Sequence, residues 1–434
     1  MGARVEIGRE RLSIKGGRVV DPANGVDAIV DVHVADGEIV AVGDASNDFR
    51  SDRDIDARGK IVCPGLVDLR AALREPGAEH KATIASETRA AAAGGVTTLC
   101  CPPDTSPPID STAVAKLVQT RAAQAGYARV LPLGALTCQL DGRRISEMAA
   151  LKESGCVGVS NAYRPLENTL VTRRAMEYAA TYGLTVFINA EDHWLRDNGC
   201  VHEGTVSTRL GLPGIPEAAE TAAVACYLAL IKQTGVRAHF CCLSTALGAG
   251  MVARAKYDGL PVSADVSAHQ LHLTEYDADQ FNSLCHVRPP LRTQRDRDGL
   301  RGELARSALA AICSDHQPHE ADAKLAPFAE TAHGVSALDT LLPLSLKLVE
   351  EGLMTTAEVV ARLTHQPAAI LGVDAGTLSV GAAADICIFD PEHYWLVSEE
   401  SLVSRGHNTP FLGWELKGRA ICTVLAGRVV HCVP

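Results

Sequence analysis

Eight short apolar runs recur along the middle of this chain, and between them lie segments rich in helix formers. The runs are IVCPGLVDL (61–69), VTTLCCP (96–102), ARVLPLGAL (128–136), VGVSN (157–161), TVFINAE (185–191), RAHFCCLS (237–244), PVSADVS (261–267) and AAICSDH (310–316). Links such as IASETRAAAAGG and EAAETAAVACYLALIKQTG supply the alanine-rich helical stretches. Near-continuous apolar strands alternating with helices form parallel sheets covered on both faces. Eight such units predict an α/β chain folded as a (β/α)8 TIM-type barrel, in which chemistry sits at the C-terminal ends of the strands.

The two termini share a different pattern. LSIKGGRVV and DAIVDVHVADGEIVAVG near the start, and GTLSVGAAADICIFD and AICTVLAGRVVH near the end, are short β-rich runs punctuated by Gly, Asp and Asn. Neither end alone has much to pack against, so the expectation is one small β-sandwich built from both. The predicted organisation is an N-terminal contribution to the sandwich over 1–62, the barrel over 63–375 and a C-terminal contribution to the sandwich over 376–434. At 434 residues the chain is ample for this.

A formal net charge of −11 argues against nucleic acid or an anionic membrane as partner. No apolar run reaches the length of a bilayer span, and the opening MGARVEIGRERLSIKGG has no apolar signal-peptide core. Many of the fourteen cysteines lie inside apolar runs, and no Cys-x-x-Cys pair occurs. Small buried thiols in a reducing cytoplasm are the expected reading.

The chemistry expected of the barrel depends on the residues at the end of each strand. Strand one leads to Arg70, Ala72 and Arg74; strand two to Asp104; strand four to Asn161 and Ala162; strand five to Asn189, Glu191 and Asp192. Strand six offers His239 and Cys242, strand seven His269 and His272, and strand eight Asp315, His316 and His319. A catalytic divalent metal needs at least three converging His, Asp, Glu or Cys ligands, and here they are scattered beside a guanidinium. Pro318 rules out a helical His316/His319 ligand pair, which leaves them a loop role. Glu191 and Asp192, adjacent on a strand, would point to opposite faces. Cys242 is expected as a barrel-interior thiol, and Arg74 would suit a carboxylate.

The segments PGLVDLRAALREPGAEHKATI, TRAAAAGGVTTLCCPPDTSPPID, AHFCCLSTA, SAHQLHLT, RPPLR, CSDHQPH, GTLSVGAAADICIFDPE and NTPFLGWELKGR together resemble the dihydroorotases, zinc amidohydrolases of pyrimidine synthesis. The resemblance spans nearly the whole chain and implies an amidohydrolase barrel with a composite β-sandwich. It also implies where the metals would be, and there this chain departs. The family's first-strand His-x-His pair falls on Arg70 and Ala72, its bridging carboxylate or carboxylated lysine on Asn161, and its strand-five and strand-six histidines on Asn189 and Cys242. Of the metal-binding set only the aspartate remains, as Asp315. Among substrate contacts Arg74 is kept, its asparagine companion is Asp104, the asparagine before Pro-Pro-Leu-Arg is Arg288, and His319 also remains.

The expectation is therefore a noncatalytic homologue without zinc or other cofactor. The resemblance implies the aspartate carbamoyltransferase catalytic subunit as partner, with a homo-oligomeric, cytoplasmic state expected. An ion pair between Arg70 and Asp315 is predicted to replace the metal cluster, with Asn161 and Asn189 donating hydrogen bonds around it. Two alternatives stay open: a hydrolase with one metal on Cys242, Asp315 and His269, and a ligand sensor whose cationic pocket is Arg74 with Arg288.

Overall fold

The computed structural model describes residues 6–166 and 168–433. Eight parallel strands form one sheet in sequential order: β1 (Leu66–Asp68), β2 (Val96–Cys101), β3 (Arg129–Ala135), β4 (Gly158–Ser160), β5 (Thr185–Ile188), β6 (Ala238–Phe240), β7 (Val262–Ser267) and β8 (Ala311–Cys313). The ring closes just past the ends of β1 and β8. There Ala71 bridges His316 in parallel, and the Ala72 N–H donates to the His316 carbonyl at 2.8 Å. The architecture is the predicted TIM-type barrel with β-sheets flanking it.

Local chemistry sets where the outer helices begin and end. The helix Ile84–Ala93 starts at Thr83, whose hydroxyl accepts from the Ser86 N–H, and stops at Gly94. The helix Thr169–Thr181 starts at Asn168, which accepts from the Val171 N–H at 3.0 Å. Each of these links thus carries its own start signal, and packing of its small apolar face onto the strands supplies most of the stability.

Both termini contribute to the flanking sheets. A six-stranded sheet joins Arg18–Asp21, Val26–Ile29 and Ile61–Pro64 from the N-terminal region edge to edge with Ile386–Leu396, Glu415–Leu425 and Arg428–Cys432 from the C-terminal region, the junction being Ile61–Pro64 beside Ile386–Leu396. A four-stranded sheet of N-terminal strands lies beside it, and Ile386 and Ile388 join Leu12, Ile14, Val32 and Val34 in a shared core. The alternate residues Cys387 and Phe389 belong instead to the barrel's core. One strand therefore glues sandwich to barrel through its period-two alternation.

The structure revises the first apolar run. Residues 61–69 are two strands rather than one, because Ile61–Pro64 pairs antiparallel with Ile386–Phe389 while Leu66–Asp68 pairs with β2. Gly65 is the pivot between them. A Cβ there would lie 2.2 Å from the Thr97 hydroxyl oxygen, so only glycine allows this approach.

Candidate functional site

At the mouth of the barrel, Arg70 extends from the end of β1 across to the loop after β8. Its Nε donates to Asp315 Oδ1 at 2.7 Å, and both side chains are buried. Nη1 donates to Asn189 Oδ1 at 3.2 Å. The predicted ion pair is present, but its surroundings differ from expectation. Gln317, not Asn161 or Asn189, donates to Asp315, at 3.0 Å. Asn161 is occupied elsewhere, accepting from Thr137 Oγ1 at 2.7 Å and donating to the Arg164 carbonyl at 2.9 Å. Asn189 accepts from the arginine, and its own Nδ2 has no partner. The reason is charge order: the guanidinium is the stronger donor, so the amide turns its oxygen toward it.

Tyr163, from the loop after β4, organises the rest. The guanidinium carbons of Arg70 and Arg288 lie 4.9 Å and 4.6 Å from its ring centroid, both within cation–π range. Its hydroxyl donates to the Arg288 carbonyl at 2.7 Å, and Arg288 Nη2 donates to the Tyr163 carbonyl at 3.2 Å. Arg288 is further bound to Glu191 by contacts of 2.5 and 3.1 Å, and Glu191 also meets Arg196 at 3.1 Å. Glu191 and Asp192 lie beyond β5, not on it: one is an ion-pair partner, and the other caps the short helix His193–Arg196.

Most of the remaining predicted positions are also engaged. Arg74, at φ 63°, donates through Nε to the Pro318 carbonyl at 3.0 Å. His319 Nε2 lies 3.0 Å from both Arg74 Nη2 and the His333 carbonyl, while its Nδ1 is 3.1 Å from Lys81 Nζ. Burial, with Arg74 and Lys81 alongside, pushes the His319 imidazole down to about 2, so it is neutral. Asp104 is exposed on its loop, and Ala72 contributes its backbone to the closure of the ring. His316 is a strut, 2.8 Å from buried Glu87, which in turn accepts from Ser404 Oγ at 2.6 Å.

Asp315 and Asp68 carry the electrostatic burden of this buried region. Burial pushes the Asp315 carboxyl up, against the opposing pull of Arg70 and Gln317. Burial likewise raises Asp68 to about 6 although Ser314 donates to it twice, at 2.8 and 2.5 Å.

These residues do not fit a pair of zinc ions. The positions where the resemblance would put the ligands offer one carboxylate and one thiol, and a guanidinium already spans Asp315 and Asn189. A dication beside that guanidinium would be repelled, and Asp315 has its charge matched without one. Nor do Cys242, Asp315 and His269 converge. Among the described residues the potential ligand groups lying within 4.8 Å of one another are His239/Cys241/Asp265 and Cys242/Asp265/Cys313. His269 is held near Ser267 at 3.2 Å, its imidazole pushed down to about 4 by burial.

The second of these groups was not foreseen. Cys242 Sγ lies 3.6 Å from Cys313 Sγ, and Cys313 Sγ lies 3.6 Å from Asp265 Oδ1. His239 Nε2 meets Asp265 Oδ2 at 2.9 Å. No spacing in the sequence pointed to it, because Cys242, Asp265 and Cys313 meet only through the register of neighbouring parallel strands. Beside the mouth, a cleft of about 250 Å³ runs between β5 and the outer helices, lined by Tyr163, Met176, Phe187, Asn189, Glu191 and Tyr227.

The sequence comparisons agree on one family. A family model described as dihydro-orotase-like matches residues 59–247. A dihydroorotase-like protein of Pseudomonas putida is 49% identical over 420 residues, covering 97% of this chain and 99% of that protein. A dihydroorotase of Geobacter sp. (strain M21) is 43% identical over 420 residues, with coverage of 97% and 99%. Among solved structures, the L-hydantoinase (dihydropyrimidinase) of Arthrobacter aurescens superimposes with a TM-score of 0.87 at 23% identity, covering 98% of this chain and 96% of that one. At that identity the likeness concerns the fold alone.

Proposed function

The chain belongs to the dihydroorotase-like family of the amidohydrolase superfamily, and we propose that it is a noncatalytic member, an assembly partner of the aspartate carbamoyltransferase catalytic subunit. The observation that carries this reading is the buried Arg70–Asp315 ion pair at 2.7 Å. Hydrolysis of a cyclic amide by water needs an activated nucleophile and a polarised carbonyl, which the family obtains from metal. In this chain the aspartate that would carry the proton is bound to a guanidinium instead. What the chain keeps is a packed barrel, its closing bridge and its sandwich, as suits a protein that works through its surface.

The proposed setting is the cytoplasm, with the chain as a homo-oligomer that takes up the transferase. All fourteen cysteines are free, which suits a reducing compartment. Among the described residues no helix is long and apolar enough to cross a membrane. Co-expression tests the partnership. The transferase subunit made with this chain is expected to elute as a larger complex and to gain activity. The same size and activity with and without it would refute the proposal.

A hydrolase is the second reading, favoured by the dihydroorotase named among the relatives. The residues it would need, Cys242, Asp315 and His269, do not come together. A ligand sensor has less support still, because Arg288 is already neutralised by Glu191.

A further inference from the structure

Two buried thiols and a carboxylate meet where Cys242, just past β6, faces Asp265 of β7 and Cys313 at the end of β8. In a tetrahedral site with metal–sulfur bonds of about 2.3 Å and metal–oxygen bonds of about 2.0 Å, the sulfur–sulfur edge is about 3.8 Å and the sulfur–oxygen edge about 3.5 Å. Cys242 and Cys313 present a sulfur–sulfur separation of 3.6 Å, and Cys313 and Asp265 a sulfur–oxygen separation of 3.6 Å. We propose that Cys242, Cys313 and Asp265 form a mononuclear site for one thiophilic divalent cation, of which zinc is the natural candidate.

The surroundings are those of a built site. Asp265 is fully buried, and its orientation is fixed by His239 at 2.9 Å on one oxygen and by the Cys242 N–H at 2.5 Å on the other. An imidazole holding a ligating carboxylate is the kind of outer partner that metal ligands require. The alternative grouping of His239, Cys241 and Asp265 fits less well. Its nitrogen–oxygen contact of 2.9 Å is a direct hydrogen bond, shorter than the edge of about 3.3 Å that a shared metal would impose. Cys241 also turns its thiol toward the His239 carbonyl, at 3.9 Å.

Charge and space agree with the assignment. Two thiolates, one carboxylate and a dication leave a single net negative charge, so the loaded site, unlike a dication without thiolates, is not repelled by the Arg70 guanidinium whose field reaches Cys242. A small cavity of about 10 Å³, bordered by Tyr163, Asn189, Glu220, Cys241, Cys242 and Arg292, reaches the group at Cys242. It is of the size of one water-scale ligand, and Asn189, whose amide Nδ2 has no partner, is among its lining residues. That donor suits a solvent-derived oxygen in the fourth position. The site shares only Cys242 with the positions where the resemblance would place the family's metals, and it does not depend on the noncatalytic reading.

The test uses the reduced, metal-stripped full-length protein carrying Cys226→Ser and Cys432→Ser, which removes the exposed thiols. Titration with Co²⁺ is expected to saturate at one equivalent with a thiolate-to-cobalt charge-transfer band in the near ultraviolet. Adding Cys242→Ser or Cys313→Ser should abolish the band, and Cys241→Ser should leave it. Absence of the band, or its persistence in the Cys242→Ser/Cys313→Ser double variant, would overturn the assignment. Should those variants fail to fold, X-ray absorption of the zinc-loaded parent decides. Two sulfur neighbours at about 2.3 Å support the site, and a shell of nitrogen and oxygen alone refutes it. Dihydroorotate hydrolysis, measured on the same samples, bears on the proposed function and leaves the site assignment standing either way.

Discussion

Arg70 Nε and Asp315 Oδ1 lie 2.7 Å apart in the interior of the barrel mouth, each side chain nearly shut off from solvent. Removing either partner strands the other's charge in a region of low dielectric. Arg70→Met is therefore expected to cost about 3–5 kcal/mol in unfolding free energy. The double variant Arg70→Met/Asp315→Leu should recover most of that loss, because a well-packed apolar pair carries no desolvation penalty. Denaturant unfolding of the two singles and the double measures this coupling. An unchanged midpoint for Arg70→Met would show that the pair does not matter to the fold.

Tyr163 holds two guanidiniums against its ring, so its aromatic face and its hydroxyl contribute separately. Tyr163→Phe keeps both ring contacts and loses the hydrogen bond to the Arg288 carbonyl, an expected cost of about 1 kcal/mol. Tyr163→Leu removes the ring as well, and should cost about 1–2 kcal/mol more. Equal stabilities for the two variants would deny the ring any role.

Several buried imidazoles make the fold sensitive to mild acid. Burial holds His269 and His286 down at about 4, His272 at about 3 and His319 at about 2. In the unfolded chain each takes up a proton near pH 6.5, whereas in the folded protein it does so only well below that. Stability is then fully present above about pH 6.5 and is lost as pH falls toward the folded values. Each such group contributes a slope of about 1.4 kcal/mol per pH unit. Unfolding free energy measured between pH 7.5 and 5 should fall steeply, ahead of ordinary carboxylate titration. A flat profile over that window would contradict the buried neutral state.

Much of the fold was legible because it rests on local periodicity. Apolar runs such as VTTLCC and TVFI are buried along their whole length, as strands covered on both faces must be. The break at Gly65 was not legible, since Ile61–Pro64 and Leu66–Asp68 are equally buried and only their partners differ. In the site, the Arg70–Asp315 pair followed from a bare buried anion needing a cation. Its immediate partners did not follow. Gln317 and Tyr163 reach it from loops whose course no spacing fixes, and Arg288 meets Glu191 across 97 residues of sequence. The Cys242/Cys313/Asp265 group depends on the register of three parallel strands, which an isolated stretch of sequence does not state.

Whether this barrel turns over a cyclic amide is the most direct question. Purified protein, assayed for dihydroorotate hydrolysis with and without added zinc, is expected to show no rate above that of zinc in buffer, even with one metal bound per chain. Turnover that scales with protein and disappears on chelation would contradict the noncatalytic reading, and would mean that a competent centre assembles despite the arginine at its heart.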